Sequence, residues 1–306
     1  MYTYFSYYYN QVENINWYIL IVAIIWAIIL IYNLRMGIQL LECLLGCEQI
    51  CQENAAPVPT SFDYSVRRGP HTWQTAANNQ SPINIDGECA EQFCLNNPLM
   101  WIGYEELPVG IRLENNGHTL LLHAAFQGET PYIDGADLLG SFSFHEICFR
   151  WSWYSGTGSE HTLDNEHFPM EVQCMHKDAV NREQTSSCSL LMVSYMYAVS
   201  TENPFLDVLI QHLVAVQEAG KCVEIPPFPL NYLMPAFHTA FYSYHGSLTE
   251  PPCHRGAEWF IYPLPLAISE RQLHEFRKLR SHNGARIGRN SRPVQPLDDR
   301  TVLFNY

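Results

Sequence analysis

The chain has 306 residues, is 47% hydrophobic and carries a formal charge of −14. That is enough apolar material for one large core or two small ones, and the acidity excludes nucleic acid and an anionic membrane surface as electrostatic partners. Ten cysteines are many for a reduced cytosolic protein. Residues 1–16 form a polar and aromatic N-terminal tail without Lys or Arg. The run at 17–34, WYILIVAIIWAIILIYNL, is long enough to cross a hydrocarbon core. A cleaved signal peptide has a basic start and a shorter apolar run, and neither is present, so a single-pass transmembrane anchor is preferred.

Residues 35–61 form a juxtamembrane segment with a proline linker. Cys43, Cys47 and Cys51 stand four apart, which on a helix places them along one stripe. They read as lipidation or intermolecular disulfide sites, or as small apolar residues on a helix beside the membrane. AAPVPT, at 55–60, reads as a linker because two prolines discourage regular structure.

Residues 62–306 read as one globular domain. From Phe144 to Trp153 the chain alternates. His145, Ile147, Phe149, Trp151 and Trp153 share one face, and Glu146, Cys148, Arg150 and Ser152 the other. Period two with aromatics predicts a strand with one face in a core, and the second face is polar enough to line a cavity. Glu171, Gln173 and Met175 share a face of the next candidate strand. Asn203 and Pro204 predict a helix start, followed by Leu206, Leu209, Ile210 and Leu213 at helical spacing, with Gly220 closing it. A second short helix is expected over Ser269–Leu279, with Ser269 and Gln272 forming a capping box.

Several motifs carry a family likeness. QSPINI at 80–85, NNGH at 115–118, GSEHT at 158–162, GSLTEPPC at 246–253 and RPVQPL at 292–297 together resemble the α-class carbonic anhydrases, over about Phe62 to Tyr306. The resemblance implies a mainly β (α+β) domain: a single large twisted, mostly antiparallel sheet with peripheral short helices and a conical pocket. It also implies a zinc site. In the family, two histidines stand two apart on one strand, a third lies about twenty residues on, and the three bind zinc. The matching positions are read here as Arg150, Ser152 and Gln173, with the loop from Trp153 to Gly158 about two residues short.

None of those three suits the metal. A guanidinium has no lone pair to donate and is always charged. A serine hydroxyl is short and a weak donor, and an amide oxygen is a poor partner for a borderline-soft ion. Zinc is therefore expected to be absent, and no other cofactor is called for. Other positions keep the family's residues. By the resemblance Glu160 and Thr249 match the pair that orients the zinc hydroxide, His118 the proton-shuttle histidine and Tyr64 a pocket tyrosine. Met175, Leu191, Leu248 and Trp259 match the apolar wall for carbon dioxide. These four polar positions are vestigial without a metal. Buried hydrogen-bonded pairs are costly to break singly, so stability alone can retain them. Cys148, Glu171 and Glu250 are placed in the pocket, and Arg150 is expected to pair with Glu160, Glu171 or Glu250 in place of the lost ion. A rebuilt metal site from Cys148 and His118 lacks enough ligands. The family's secreted members carry a disulfide from the cysteine after Pro-Pro, which makes Cys253 a candidate, with Cys89 or Cys94 as its partner.

Arg150 paired with Gln173 resembles the acatalytic carbonic anhydrase-related proteins, which are thought to bind other proteins. The reading is a catalytically inactive, membrane-anchored binding module with a protein partner. A working zinc-dependent carbonic anhydrase with a residual or rebuilt metal site is the alternative. An anion site built on Arg150 ranks third, since nearby acids compete for the guanidinium. Glu13 and Arg35 would put the domain in the cytoplasm by the positive-inside rule. Cysteine content and secreted relatives point to the exterior or lumen, and that side is preferred.

Overall fold

The computed structural model describes residues 25–27, 29–31, 62–73, 75, 78–179 and 189–306. The chain separates into two units, Met1–Thr60 and Ser61–Tyr306. In the first, 25–27 and 29–31 are helical with exposed apolar side chains, among them Trp26 and Leu30. The rest of the expected anchor, the tail, the linker and Cys43, Cys47 and Cys51 lie outside the described residues. Among the described residues, no helix is long and apolar enough to cross a membrane.

The second unit is built on strands. They are β1 (Asn84–Ile85), β2 (Glu91–Phe93), β3 (Leu99–Ile102), β4 (Gly110–Asn115), β5 (Leu120–Ala125), β6 (Tyr132–Gly135), β7 (Phe142–Trp151), β8 (Thr162–Leu163), β9 (Met170–Asp178), β10 (Leu190–Val199), β11 (Cys222–Ile225), β12 (Phe241–Ser247), β13 (Arg255–Ile268) and β14 (Leu303–Asn305). Twelve of them form one sheet in the order β11-β4-β5-β7-β9-β10-β13-β12-β14-β2, with β6 joining β3 to β7, while β1 and β8 pair separately. Antiparallel pairs prevail as expected. However, β10 runs parallel to β13 and β14 parallel to β2, so the sheet is mixed.

The two helices begin where the sequence places them. In α1 (Pro204–Ile210) the Asn203 side chain accepts from the Phe205 N–H at 3.0 Å. In α2 (Glu270–Phe276) Ser269 and Gln272 complete the capping box, satisfying two of the donors a helix start leaves open. Both helices end early. Leu213 falls in a separate 3₁₀ turn, Leu213–Val216, and Leu279 lies beyond Phe276.

Side-chain alternation divides the interior in two. Ile147, Phe149 and Trp151 of β7 enter the larger core with Leu191, Val193 and Tyr195 of β10, and Leu206 and Leu209 of α1 close over it. Met192 and Met196 of β10 point the other way, into a smaller core with Ile83, Tyr244, Trp259 and Ile261. Each such side chain, fully buried, contributes about 1.5–3 kcal/mol relative to exposure. Trp153 does not continue the buried face of β7. It stands beyond the strand end and is 47% exposed.

The expected bridge from Cys253 to Cys89 or Cys94 does not form. All six described cysteines are free. Cys253 is buried, whereas Cys89 and Cys94 flank the short strand β2 on the surface.

Candidate functional site

The site forms where β7 and β9 pair. Cys148 stands directly opposite Gln173, and Arg150 opposite Glu171. Residues opposite one another in a ladder share a face. Cys148 and Arg150 are thus the two β7 residues, two apart, that flank Gln173. Ser152 is not one of them. It follows the strand end, its backbone bridges to Arg289 and its hydroxyl accepts from Thr157 Oγ1 at 3.0 Å. Its carbonyl accepts from Arg277 Nε at 2.8 Å. The expected trio of Arg150, Ser152 and Gln173 is therefore corrected to Cys148, Arg150 and Gln173. Positions 148, 150 and 152 are equivalent by alternation, so period two could not separate them. The ladder does. Moving the two β7 positions back by two residues also removes the need for a shortened loop between Trp153 and Gly158.

Arg150 occupies the centre. Its side chain is 3% exposed. Nη1 donates to Glu250 Oε1 at 2.6 Å and to the Tyr64 hydroxyl at 3.3 Å, and Nε donates to Gln173 Oε1 at 3.2 Å. Glu160 Oε2 lies 3.5 Å from Nε. The anticipated pairing is realised with Glu250 and Glu160. Burial by itself would lower the Arg150 pKa, but the charges of Glu160 and Glu250 outweigh it and hold the group well above its usual value. Burial pushes Glu160 up, and the opposing pull of Arg150 does not cancel it.

Gln173 is fully engaged. Its Nε2 donates to Glu160 at 2.7 Å and to Glu171 at 2.9 Å. Its Oε1 also accepts from the Cys148 thiol at 3.6 Å. Glu160 is completed by the Arg292 N–H at 2.9 Å and by a hydrogen bond from the Thr249 side chain. Glu171 anchors a second chain. It accepts from the Glu160 and His161 N–H groups at 2.7 and 2.9 Å and from Ser194 Oγ at 2.8 Å. His161 Nδ1 lies 2.8 Å from it, and His161 Nε2 lies 2.6 Å from the Tyr244 hydroxyl, which donates to Ser81 Oγ at 2.9 Å. Burial alone would raise Glu171, yet the adjoining His161 and the hydrogen bonds from His161 and Gln173 hold it below the usual carboxylate range.

Cys148, Arg150, Gln173 and Glu250 border a cavity of about 60 Å³ that also includes Glu146, Met175, Leu248 and Thr249, whereas Glu171, expected in the pocket, lies behind Gln173 and does not line it. Met175 and Leu248 line it as expected, but Leu191 and Trp259 do not. Leu191 belongs to the larger core, and its neighbour Met192, paired with Met175, takes the place in the wall. A step of one residue along a strand changes the face. Trp259 is buried in the smaller core, where its indole donates to the Ser247 carbonyl at 2.9 Å. His118 lies elsewhere, stacked on Phe62 with ring centroids 4.2 Å apart. Leu121, Met192 and Arg292 went unread in the sequence, and Glu146 was read only as part of the polar face of β7. Met192 alternates with Leu191 and Arg292 opens RPVQPL, so both had a signal in spacing or motif.

The residues at the centre do not fit zinc. Arg150 has no lone pair and brings a positive charge. The Gln173 oxygen already accepts from Arg150 and Cys148. Burial raises the Cys148 pKa further than Arg150 lowers it, which keeps the thiol protonated, whereas a ligand must be a thiolate. Among the described residues, no group of three or more His, Cys, Asp or Glu side chains is arranged to hold a metal ion.

Sequence comparison places this geometry in a family. Residues 68–306 match the family model described as eukaryotic-type carbonic anhydrase. The chain is 32% identical to the carbonic anhydrase-related protein of Rattus norvegicus over 206 residues, 61% of this chain and 70% of that one. It is 30% identical to carbonic anhydrase 7 of Homo sapiens over 259 residues, 80% and 97% of the two chains. It is 28% identical to carbonic anhydrase 1 of Monodelphis domestica over 263 residues, 80% and 98% of the two chains. With its large mixed sheet, its few helices and a family model matched over most of its length, the chain belongs to the eukaryotic-type carbonic anhydrase family.

Proposed function

We propose that this chain is an acatalytic member of its family that works as a binding module. One observation carries the reading: the guanidinium of Arg150 stands between Gln173, Glu250 and Glu160, where a metal would have to be bound. Hydration of carbon dioxide in this fold needs a metal-bound water ionised near neutral pH. Here the positive charge comes from a side chain that can neither bind nor acidify a water in that way. The likeness to a carbonic anhydrase-related protein agrees with this reading. The retained carboxylates then serve the fold, since each is tied to Arg150 or to backbone N–H groups.

The partner is proposed to be a protein, met outside the cell or in a lumen, with nucleic acid excluded by the charge of −14. The run at 17–34 is proposed as the membrane anchor on its length and composition. The deciding experiment measures zinc by atomic emission on the purified chain and carbon dioxide hydration by stopped flow. Less than one tenth of an equivalent of zinc and a rate at the buffer background are expected. Stoichiometric zinc with measurable hydration would overturn the reading in favour of a working carbonic anhydrase.

A further inference from the structure

A second and larger cleft, about 320 Å³, lies apart from the Arg150 cavity. Its walls include Tyr64, His118, Trp153, Ile287, Arg286 and Arg289. Tyr64, whose hydroxyl meets Arg150, belongs to this wall as well. The size is that of a small-molecule site.

The hydrogen-bond balance of the cleft is one-sided. Several arginines elsewhere are held, Arg150, Arg271 and Arg277 by carboxylates and Arg292 and Arg300 by carbonyls, whereas Arg67 and Arg255 on the surface have no side-chain partner among the described residues. Arg286 makes no side-chain hydrogen bond or ion pair with any described residue. Arg289 uses only Nε, which donates to Ser291 Oγ at 3.0 Å, so its terminal nitrogens are unused among the described residues. The indole N–H of Trp153 likewise has no acceptor among them. Gly288 brings that ring against the chain, because a Cβ there would lie 1.6 Å from the indole nitrogen. Among the described residues of the wall the one carboxylate, Asp63, is already bound by Arg68 at 3.0 and 3.2 Å and by the Ser65 N–H at 2.8 Å. It does not compete for the other two arginines.

The Arg286 guanidinium and the terminal nitrogens of Arg289 match a carboxylate, which such groups bind through paired N–H donors. The aromatic and apolar wall matches a flat organic body, on which Arg and Trp are both effective contacts. We propose that this cleft binds a small organic carboxylate, its acid on Arg286 and Arg289 and its body against Trp153 and Tyr64. The site does not depend on whether the Arg150 centre is catalytic.

The test is a titration of the full chain, labelled with ¹⁵N-tryptophan, with benzoate as probe. The Trp153 signal is assigned with Trp153→Phe among seven indole resonances. It is expected to shift and saturate with a dissociation constant of about 1 mM or tighter. Benzamide, neutral and nearly the same shape, is expected to bind at least about tenfold more weakly, one decade being about one lost charge-assisted contact. The exposed double substitution Arg286→Gln and Arg289→Gln is expected to weaken benzoate by about tenfold or more while leaving the other indole signals in place. A Trp153 signal that does not saturate would overturn the proposal. So would equal binding of benzamide, or an unchanged affinity in the double variant.

Discussion

Two polar clusters sit side by side between β7, β9 and β10, and they solve burial differently. Around Arg150 a cation is matched by two carboxylates, one buried and one, Glu250, 30% exposed. Around Glu171 a carboxylate is matched almost entirely by donors: two backbone N–H groups, the Gln173 amide, Ser194 and His161. Fixed hydrogen bonds to a charge are short and strong. A buried ion pair only offsets the cost of removing both ions from water, and losing one partner leaves that cost uncompensated. Gln173 joins the clusters, accepting from Arg150 and donating to Glu171. The first cluster is thus centred on a cation and rests on paired charges, and the second is centred on an anion and rests on fixed donors.

The largest test rebuilds the ion in place of Arg150. The triple substitution Cys148→His, Arg150→His and Gln173→His is expected to bind zinc stoichiometrically, as measured by competition with a chromophoric chelator. Placing the histidines at 150, 152 and 173 is expected to bind more than about 100-fold more weakly, because misplaced ligands cost at least as much as misplaced supporting groups. Equal zinc affinity of the two variants would undo the assignment of Cys148 and Arg150 to the metal-facing positions.

Next in size is removal of the cation alone. Arg150→Met leaves Glu160 and Glu250 facing each other and is expected to cost about 3–5 kcal/mol by urea unfolding at pH 7. Adding Glu250→Gln is expected to recover part of that loss. A cost below about 1 kcal/mol would show that the pair does not hold the site together. In the neighbouring cluster Glu171→Gln exchanges acceptors for an amide and is expected to cost about 2–4 kcal/mol at pH 7. Because Glu171 is held below its usual range, its stabilisation is present above the unfolded value of 4.5 and is lost as pH falls through the lower folded value. The penalty of the substitution should therefore shrink in acid. A penalty independent of pH would remove the charge from the explanation.

The smallest effect has the opposite sign. Burial, with Glu250 close by, raises Glu146 to about 7 from 4.5. A raised carboxylate favours the folded state while it stays protonated, so it costs nothing below about pH 4.5 and its penalty grows up to about pH 7. Glu146→Gln is expected to stabilise by about 1–3 kcal/mol above pH 7 and to be neutral at pH 4. Equal stability of the two proteins at pH 8 would contradict this.

Much of this was readable from the chain itself. The caps at Asn203 and Ser269 depend on neighbours two or three residues away, and both helices start where those residues place them. The alternation from Ile147 to Trp151 set the core face of β7 for the same local reason. The motifs carried the family, and the side chains of Arg150 and Gln173 already spoke against a metal. What failed was register. Leu191 was placed in the wall that Met192 lines, Arg150 in the position that Cys148 holds, and Ser152 in that of Arg150.

The sequence by itself determined most of the side chains the site could use, where two of the strands and both helix caps lie, and that the centre would be charged. Only the tertiary structure decided that Cys148 faces Gln173, that Arg150 turns to Glu250 and Glu160, and that Arg286 and Arg289 meet Trp153 across one cleft. The reason is physical. A face repeats every two residues along a strand and is a local property. The pairing of one strand with another is fixed by hydrogen bonds between residues far apart in the chain, and no local period can count them.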